Sequence, residues 1–114
     1  MRRGKEITQG SHASGNYVQQ LYLSGKKDSI VDEWLSQGQK KITMVVNSEK
    51  ELIEVYQAAL DAGLKACIIT DAGHTDAGSG KGVPTKTAIS IGPDYVEKID
   101  KITGKDGSHP GTLY

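Results

Sequence analysis

Between Lys41 and Thr70 the sequence changes its hydrophobic period twice, and that limits the folds open to it. Lys41 to Val46 reads KITMVV, a β-rich run closed by Asn47-Ser48. Ser48 and Glu51 then have the spacing of a capping box, in which a hydroxyl and a carboxylate satisfy free N–H groups at a helix start. Leu52, Val55, Tyr56, Ala59 and Leu60 follow on one helical face. Gly63 suits the left-handed residue just past the helix. Ala66 to Thr70 (ACIIT) is a short continuous apolar run, the pattern of a strand covered on both faces. Strand, helix and strand in succession predict an α/β fold in which helices cover a sheet.

The flanks extend this frame. Arg3 to Leu23 reads as a helix, with Ile7, Ser14, Val18, Leu21 and Tyr22 as its inward stripe. Lys5, Gln9 and His12, at i, i+4 and i+7, share another face. Gly25-Lys26-Lys27 breaks that helix. Asp28 or Ser29 caps a second, short one in which Ile30 and Trp34 pair, and Gly38 ends it. Thr85 to Ile91 (TKTAISI) reads as a third strand. Gly92-Pro93 turns the chain into a last helix with Val96, Ile99 and Ile102 or Thr103 inward and Gly104 closing it. Lys105 to Tyr114 is polar, and either frays or adds a short edge strand. The expected order is α-α-β-α-β-β-α: a three-layer α/β/α sandwich around a small mixed β-sheet, one domain over residues 1–104 with a tail over 105–114. Three strands are few for four helices, and no strand feeds the first helix.

Composition narrows the function classes. With 114 residues, 36% hydrophobic and no Phe, the core must be thin. Fourteen basic residues balance fourteen acidic ones, which argues against nucleic-acid binding by net charge alone and leaves room for a local basic patch. A single cysteine, Cys67, excludes an internal disulfide and fits a reducing compartment. No apolar run approaches the roughly 20 residues of a membrane span. A soluble cytoplasmic domain without membrane contact is the expectation.

The stretch TDAGHTDAGSGKG (70–82) invites comparison with a phosphate-binding loop and fails it. Thr75 stands where the first glycine of G-x-x-x-x-G-K-[ST] belongs, and Gly82 stands where Ser or Thr should bind magnesium. Gly78 to Gly82 reads as a flexible surface loop, with a mobile basic loop whose Lys81 touches a polyanion as the alternative. The first half differs. Asp71 directly follows a strand, and ligand sites in open α/β sheets gather beyond strand carboxyl ends. Asp71 and Thr75 are therefore candidates for chemistry, against the plainer reading that Asp71 caps its own turn. Lys5, Gln9 and His12 form either a solvated face or, given the small residues beside His12, a semi-buried polar seam. His12, His74, His109 and Cys67 lack zinc-ligand spacing. No nucleophile elbow supports a serine triad, and Cys67 reads as core.

Four stretches together resemble the archaeal/eukaryotic-type (type 2) peptidyl-tRNA hydrolases. RRGKEITQGSHAS (2–14) is similar to the family's KGKxAAQxxHA helix start. WLSQGQKKITMVVNSEKEL (34–52) resembles W-x-x-x-G-Q-x-K-x-x-x-x-V-x-S-x-x-E-L. DAGHT (71–75) and PTKTAISIGP (84–93) match D-A-G-x-T and P-x-x-T-x-x-x-I-G-P, and IDKITG (99–104) resembles the last helix. The likeness runs through residues 2–104.

This resemblance implies hydrolysis of the ester joining a peptide, or an N-blocked amino acid, to the tRNA 3′ end. It implies Lys5, His12, Asp71, Thr75 and Thr87 as catalytic residues. Arg3, Gln9, Thr85, Lys81 and Lys86 are implied beside them on the substrate. Asp71 would position or activate water, Lys5 would stabilise the oxyanion or hold a phosphate, the threonines would orient water and ribose, and His12 would orient or exchange a proton. No metal or cofactor is implied. Arg2, Arg3, Lys5, Lys26, Lys27, Lys40, Lys41, Lys81 and Lys86 would form a patch for the acceptor stem if they share a face. The family normally begins with a strand that is missing here, so the chain is expected to be a fragment, a late-start product, or dependent on a partner for that strand. The family's dimers and an open sheet edge leave a homodimer as an option. The competing reading is a catalytically weak or inactive domain that binds tRNA or a protein through the same face.

Overall fold

A computed structural model describes residues 3–71 and 85–113. The expectations for Thr75 and Lys81 lie outside the described residues. The order is α1 (Arg3–Ser24), α2 (Ser29–Ser36), β1 (Met44–Val45), α3 (Glu49–Asp61), β2 (Ala66–Asp71), β3 (Thr85–Ile91), α4 (Val96–Thr103) and β4 (Thr112–Leu113).

Local chemistry sets most boundaries. Asp28 caps α2, its carboxylate accepting from the N–H groups of Ile30 and Val31. At α3 the Ser48 half of the capping box forms, Ser48 Oγ accepting the Glu51 N–H at 3.1 Å, while the Glu51 carboxylate reaches one residue further back and accepts the Asn47 N–H at 3.0 Å. Gly63 follows α3 with φ +78°, a conformation that costs other residues a steric clash. The polar tail is held rather than frayed. Ser108 and His109 donate their N–H groups to the carbonyls of Lys101 and Ile102, which leads Thr112–Leu113 to pair with β1.

β2 and β3 form an antiparallel ladder from Ala66 opposite Ile91 to Asp71 opposite Thr85. β1 and β4 form a second antiparallel pair. The fold is α/β, but the sheet expected as one mixed unit is, among the described residues, two separate antiparallel pairs. Among the described residues KITMVV brings only Met44 and Val45 into a ladder, opposite Leu113 and Thr112 of β4.

Helices lie on both faces of the β2–β3 ladder. On one face Val55, Ala59, Leu64 and Ile102 form the core, with Ala66, Ile89, Ile91 and Ile99 packed against it. On the other, Ala13 of α1 is buried, and its carbonyl accepts from the Cys67 thiol at 3.3 Å. Cys67 also lies 2.9 Å from Ser90 Oγ on the facing strand. Residues 66–69 of β2, expected to be covered on both faces, are half-buried, because a two-stranded ladder is too narrow to be enclosed.

The inward stripe of α1 is met in part, with Ser14, Val18 and Leu21 half-buried. Ile7 and Tyr22 are 65% and 86% exposed. The seam facing the sheet instead includes Lys5, Gln9, Ala13 and Tyr17, four residues apart and all at least half-buried. The small Ala13 allows the helix to close onto Cys67 at this position, and the polar face turns inward with it.

Candidate functional site

The site is built from the slide of α1 along β2. Tyr17 donates its hydroxyl to Asp28 at 2.9 Å, and Asp28 lies 3.2 Å from the ammonium of Lys65, just before β2. One turn earlier on α1, Ala13 meets Cys67. The two elements therefore run in opposite directions. Tyr17 back to Ala13 covers about 6 Å at helical rise. Lys65 to Cys67 covers about 6.6 Å at strand rise. Continued at the same rises, Asp71 lies about 13 Å beyond Cys67 and Lys5 about 12 Å before Ala13. Lys5 thus stands level with Asp71.

Lys5 carries its charge inward. Its Nζ is shielded from solvent although the residue as a whole is half-exposed. Gln9 is half-buried one turn along the same seam, whereas Arg3 is exposed at the first described position of the helix. Of the two readings for His12, the solvated one holds: it is exposed, because the seam passes through Ala13 and leaves its neighbour on the solvent side.

A bulge shapes the strand ends. Ile69 pairs with Ala88, but Thr70 pairs with Lys86, so Thr87 is the extra residue. The Thr87 hydroxyl donates to the Ile69 carbonyl at 3.4 Å. Beyond the bulge, Thr85 falls opposite Asp71 and is exposed. The Lys86 ammonium reaches the Thr70 hydroxyl at 2.7 Å, and the Lys86 N–H donates to Glu49 of α3 at 2.7 Å.

The structure thus gathers Lys5, Asp71 and Thr85 at one end of the ladder, with Lys86 and Thr87 in the adjoining bulge and Gln9 a turn away. It does not bring every basic residue to that end. Lys26 and Lys27 follow the far end of α1, more than 20 residues and about 30 Å from Lys5 at helical rise. Lys41 lies 5.8 Å from the centre of the Trp34 ring, whose indole N–H donates to the Lys40 carbonyl at 2.9 Å.

Two local residues escaped the sequence reading. Thr70 and Glu49 carry no motif signal, because each finds its partner only when β3 folds beside β2 and α3. At the opposite end of the ladder, Lys65 joins Asp28, the Pro93 carbonyl at 3.0 Å and Asp94 at 4.0 Å. Burial alone would raise the pKa of Asp28. The Tyr17 hydroxyl, the Lys65 ammonium and the Val31 N–H outweigh it and hold the carboxyl below its ordinary value.

Comparison with known proteins covers nearly the whole chain. The family model described as peptidyl-tRNA hydrolase PTH2 matches residues 1–105. A peptidyl-tRNA hydrolase of Methanocaldococcus jannaschii is 49% identical over 106 residues, which covers 91% of this chain and 85% of that protein. One from Methanothermobacter thermautotrophicus is 40% identical over 105 residues, 91% of this chain and 85% of its own length. One from Nanoarchaeum equitans is 38% identical over 102 residues, 90% of this chain and 84% of its own. A helix start bearing an inward lysine, level with the aspartate that ends β2, thus sits in a chain that belongs to the peptidyl-tRNA hydrolase PTH2 family.

Proposed function

We propose that this protein hydrolyses the ester between a peptide, or an N-blocked amino acid, and the 3′ end of tRNA, and that the reaction takes place where α1 passes the ends of β2 and β3. The observation that carries the location is the shielded ammonium of Lys5 level with Asp71. Asp71 takes a proton from water as the oxygen attacks the ester carbonyl. Lys5 stabilises the oxyanion of the resulting tetrahedral intermediate. Collapse breaks the bond to the ribose oxygen, which leaves with a proton returned from Asp71. The products are a free peptide carboxylate and a tRNA with its terminal hydroxyl restored. Thr75 and Thr85 orient the water and the terminal ribose, and Thr87 shapes the bulge that presents Thr85.

Gln9 lines the seam beside Lys5. Arg3 and Lys81 contact tRNA phosphates, and Lys86 supports the same edge through Thr70. The chemistry needs no metal or cofactor, and the substrate places the protein in the cytoplasm. Among the described residues no helix is long and apolar enough to cross a membrane. Among the described residues no strand pairs with the outer edge of β2, and pairing there with a second copy makes a homodimer part of this proposal, checked by sedimentation at several protein concentrations. No observation favours the inactive tRNA-binding domain.

Incubation of the purified chain with N-acetyl-aminoacyl-tRNA tests the activity: release of the N-acetyl-amino acid well above the uncatalysed rate is expected. A folded chain that binds the tRNA without cleaving it would reverse the reading in favour of the binding domain.

A further inference from the structure

We propose that Glu49 is a positioning residue for the site at the ends of β2 and β3, acting through the backbone of Lys86; this rests on the location of the reaction proposed above. Glu49 opens α3, but that helix does not need its carboxylate as a cap. Ser48 Oγ already accepts the Glu51 N–H as the cap, and the Glu51 carboxylate accepts the Asn47 N–H. Glu49 Oε2 instead accepts the N–H of Lys86, 37 residues further along the chain, at 2.7 Å. This is a charge-assisted hydrogen bond from a helix to the outer side of a strand.

The location of that bond gives it meaning. Lys86 lies next to the bulge at Thr87, and the bulge decides which β3 residue faces Asp71. With the bulge, Thr85 is opposite Asp71. Without it, Lys86 would be opposite Asp71 and Thr87 opposite Thr70, since a strand that slips by one residue turns each side chain to the other face. The ladder from Ala66 to Ile69 is the same in both registers, so it cannot choose between them. Two bonds choose. One is the cross-strand contact from the Lys86 ammonium to the Thr70 hydroxyl at 2.7 Å. The other is the Glu49 carboxylate on the Lys86 N–H, which also blocks part of the outer edge of β3. Glu49 is exposed, so the bond adds little to global stability, and its effect is local.

The test compares the full-length protein with Glu49→Ala, Glu49→Gln and Asp71→Asn, measuring kcat and KM on N-acetyl-aminoacyl-tRNA, melting temperature, and hydrogen exchange at the Lys86 amide. Glu49→Ala is expected to lower kcat roughly ten- to a hundredfold, the scale of a misplaced catalytic group, with KM changed less than about twofold. Its melting temperature should stay close to that of the parent, and the Lys86 amide should exchange faster. Glu49→Gln keeps an oxygen acceptor and is expected to restore most of both kcat and amide protection. Equal losses in the two Glu49 variants would mean that charge matters rather than the hydrogen bond, and would overturn the proposal. So would an unchanged kcat in Glu49→Ala with a deprotected Lys86 amide. Asp71→Asn separates the two failures: full activity there sinks the location of the site, whereas an inactive Asp71→Asn beside an unimpaired Glu49→Ala sinks the role of Glu49 alone.

Discussion

The thiol of Cys67 donates to the carbonyl of Ala13 at 3.3 Å, and this contact sets how far α1 slides along β2. It joins the middle of the helix to the middle of the strand, so the position of Lys5 relative to Asp71 follows from it by rise alone. Ala13 is 2% exposed. Ala13→Leu would have to push α1 off the ladder, at a cost of about 1–3 kcal/mol for overpacking. Urea unfolding should show that loss, and the folded fraction should also cleave ester more slowly because Lys5 moves. A variant that loses stability but keeps the parental kcat would show that the helix position does not govern the site.

Lys5 should matter to chemistry more than to folding. Lys5→Met keeps much of the aliphatic stem and removes the charge, and should lower kcat by about a hundredfold or more if the ammonium stabilises the oxyanion. Lys5→Arg should recover only part of the rate, because a planar guanidinium cannot occupy the space of a compact ammonium. Steady-state kinetics on both variants checks this.

The cluster around Lys65 makes the opposite prediction. Lys65 ties Asp28 before α2 to the Pro93 carbonyl before α4, and its ammonium lies 5.7 Å from the centre of the Tyr17 ring. Its side chain is 19% exposed. Lys65→Met should cost roughly 1.5–3 kcal/mol, the range for hydrogen bonds to charged groups. Because the cluster is at the far end of the ladder from Asp71, kcat measured well below the melting temperature should be nearly unchanged.

The same cluster sets a pH dependence of stability. The Asp28 pKa is lower in the folded chain than in the unfolded one. Its contribution is therefore present above the unfolded pKa, near pH 4, and is lost as pH falls through the folded value. The Tyr17 pKa is raised, chiefly by burial and then by the Asp28 carboxylate it donates to. Its contribution is present below the ordinary tyrosine pKa, near 10, and is lost as pH rises through the raised value. Melting temperature against pH should fall at both ends, and Asp28→Asn should flatten both arms. An acid arm as steep in Asp28→Asn as in the parent would contradict this account.

The readable parts of the fold were those set by neighbours in sequence. The Asp28 cap, the Ser48–Glu51 box, Gly63 after α3 and the limits of β3 each depend on residues a few positions apart. The inward face of α1 was not readable in the same way. Periodicity pointed to Ile7 and Tyr22, but tertiary packing selected Ala13, whose small side chain permits close approach, and turned Lys5 and Gln9 inward with it. KITMVV looked like a full strand, yet among the described residues only Met44 and Val45 pair. At the site, Lys5, Asp71 and Thr85 were nominated by motif, but their alignment rests on the contact between Ala13 and Cys67, 54 residues apart. Glu49 and Thr70 left no trace in the sequence because their partners are distant along the chain.

The central claim is that Asp71, level with Lys5, activates water for ester hydrolysis on tRNA. Its most direct test is the rate of N-acetyl-amino acid release from N-acetyl-aminoacyl-tRNA by the parent and by Asp71→Ala, at equal concentrations of folded protein. The parent should cleave rapidly, and Asp71→Ala should be slower by about 10²–10⁴, the usual worth of a positioned general base. Equal rates in the two proteins would contradict the account.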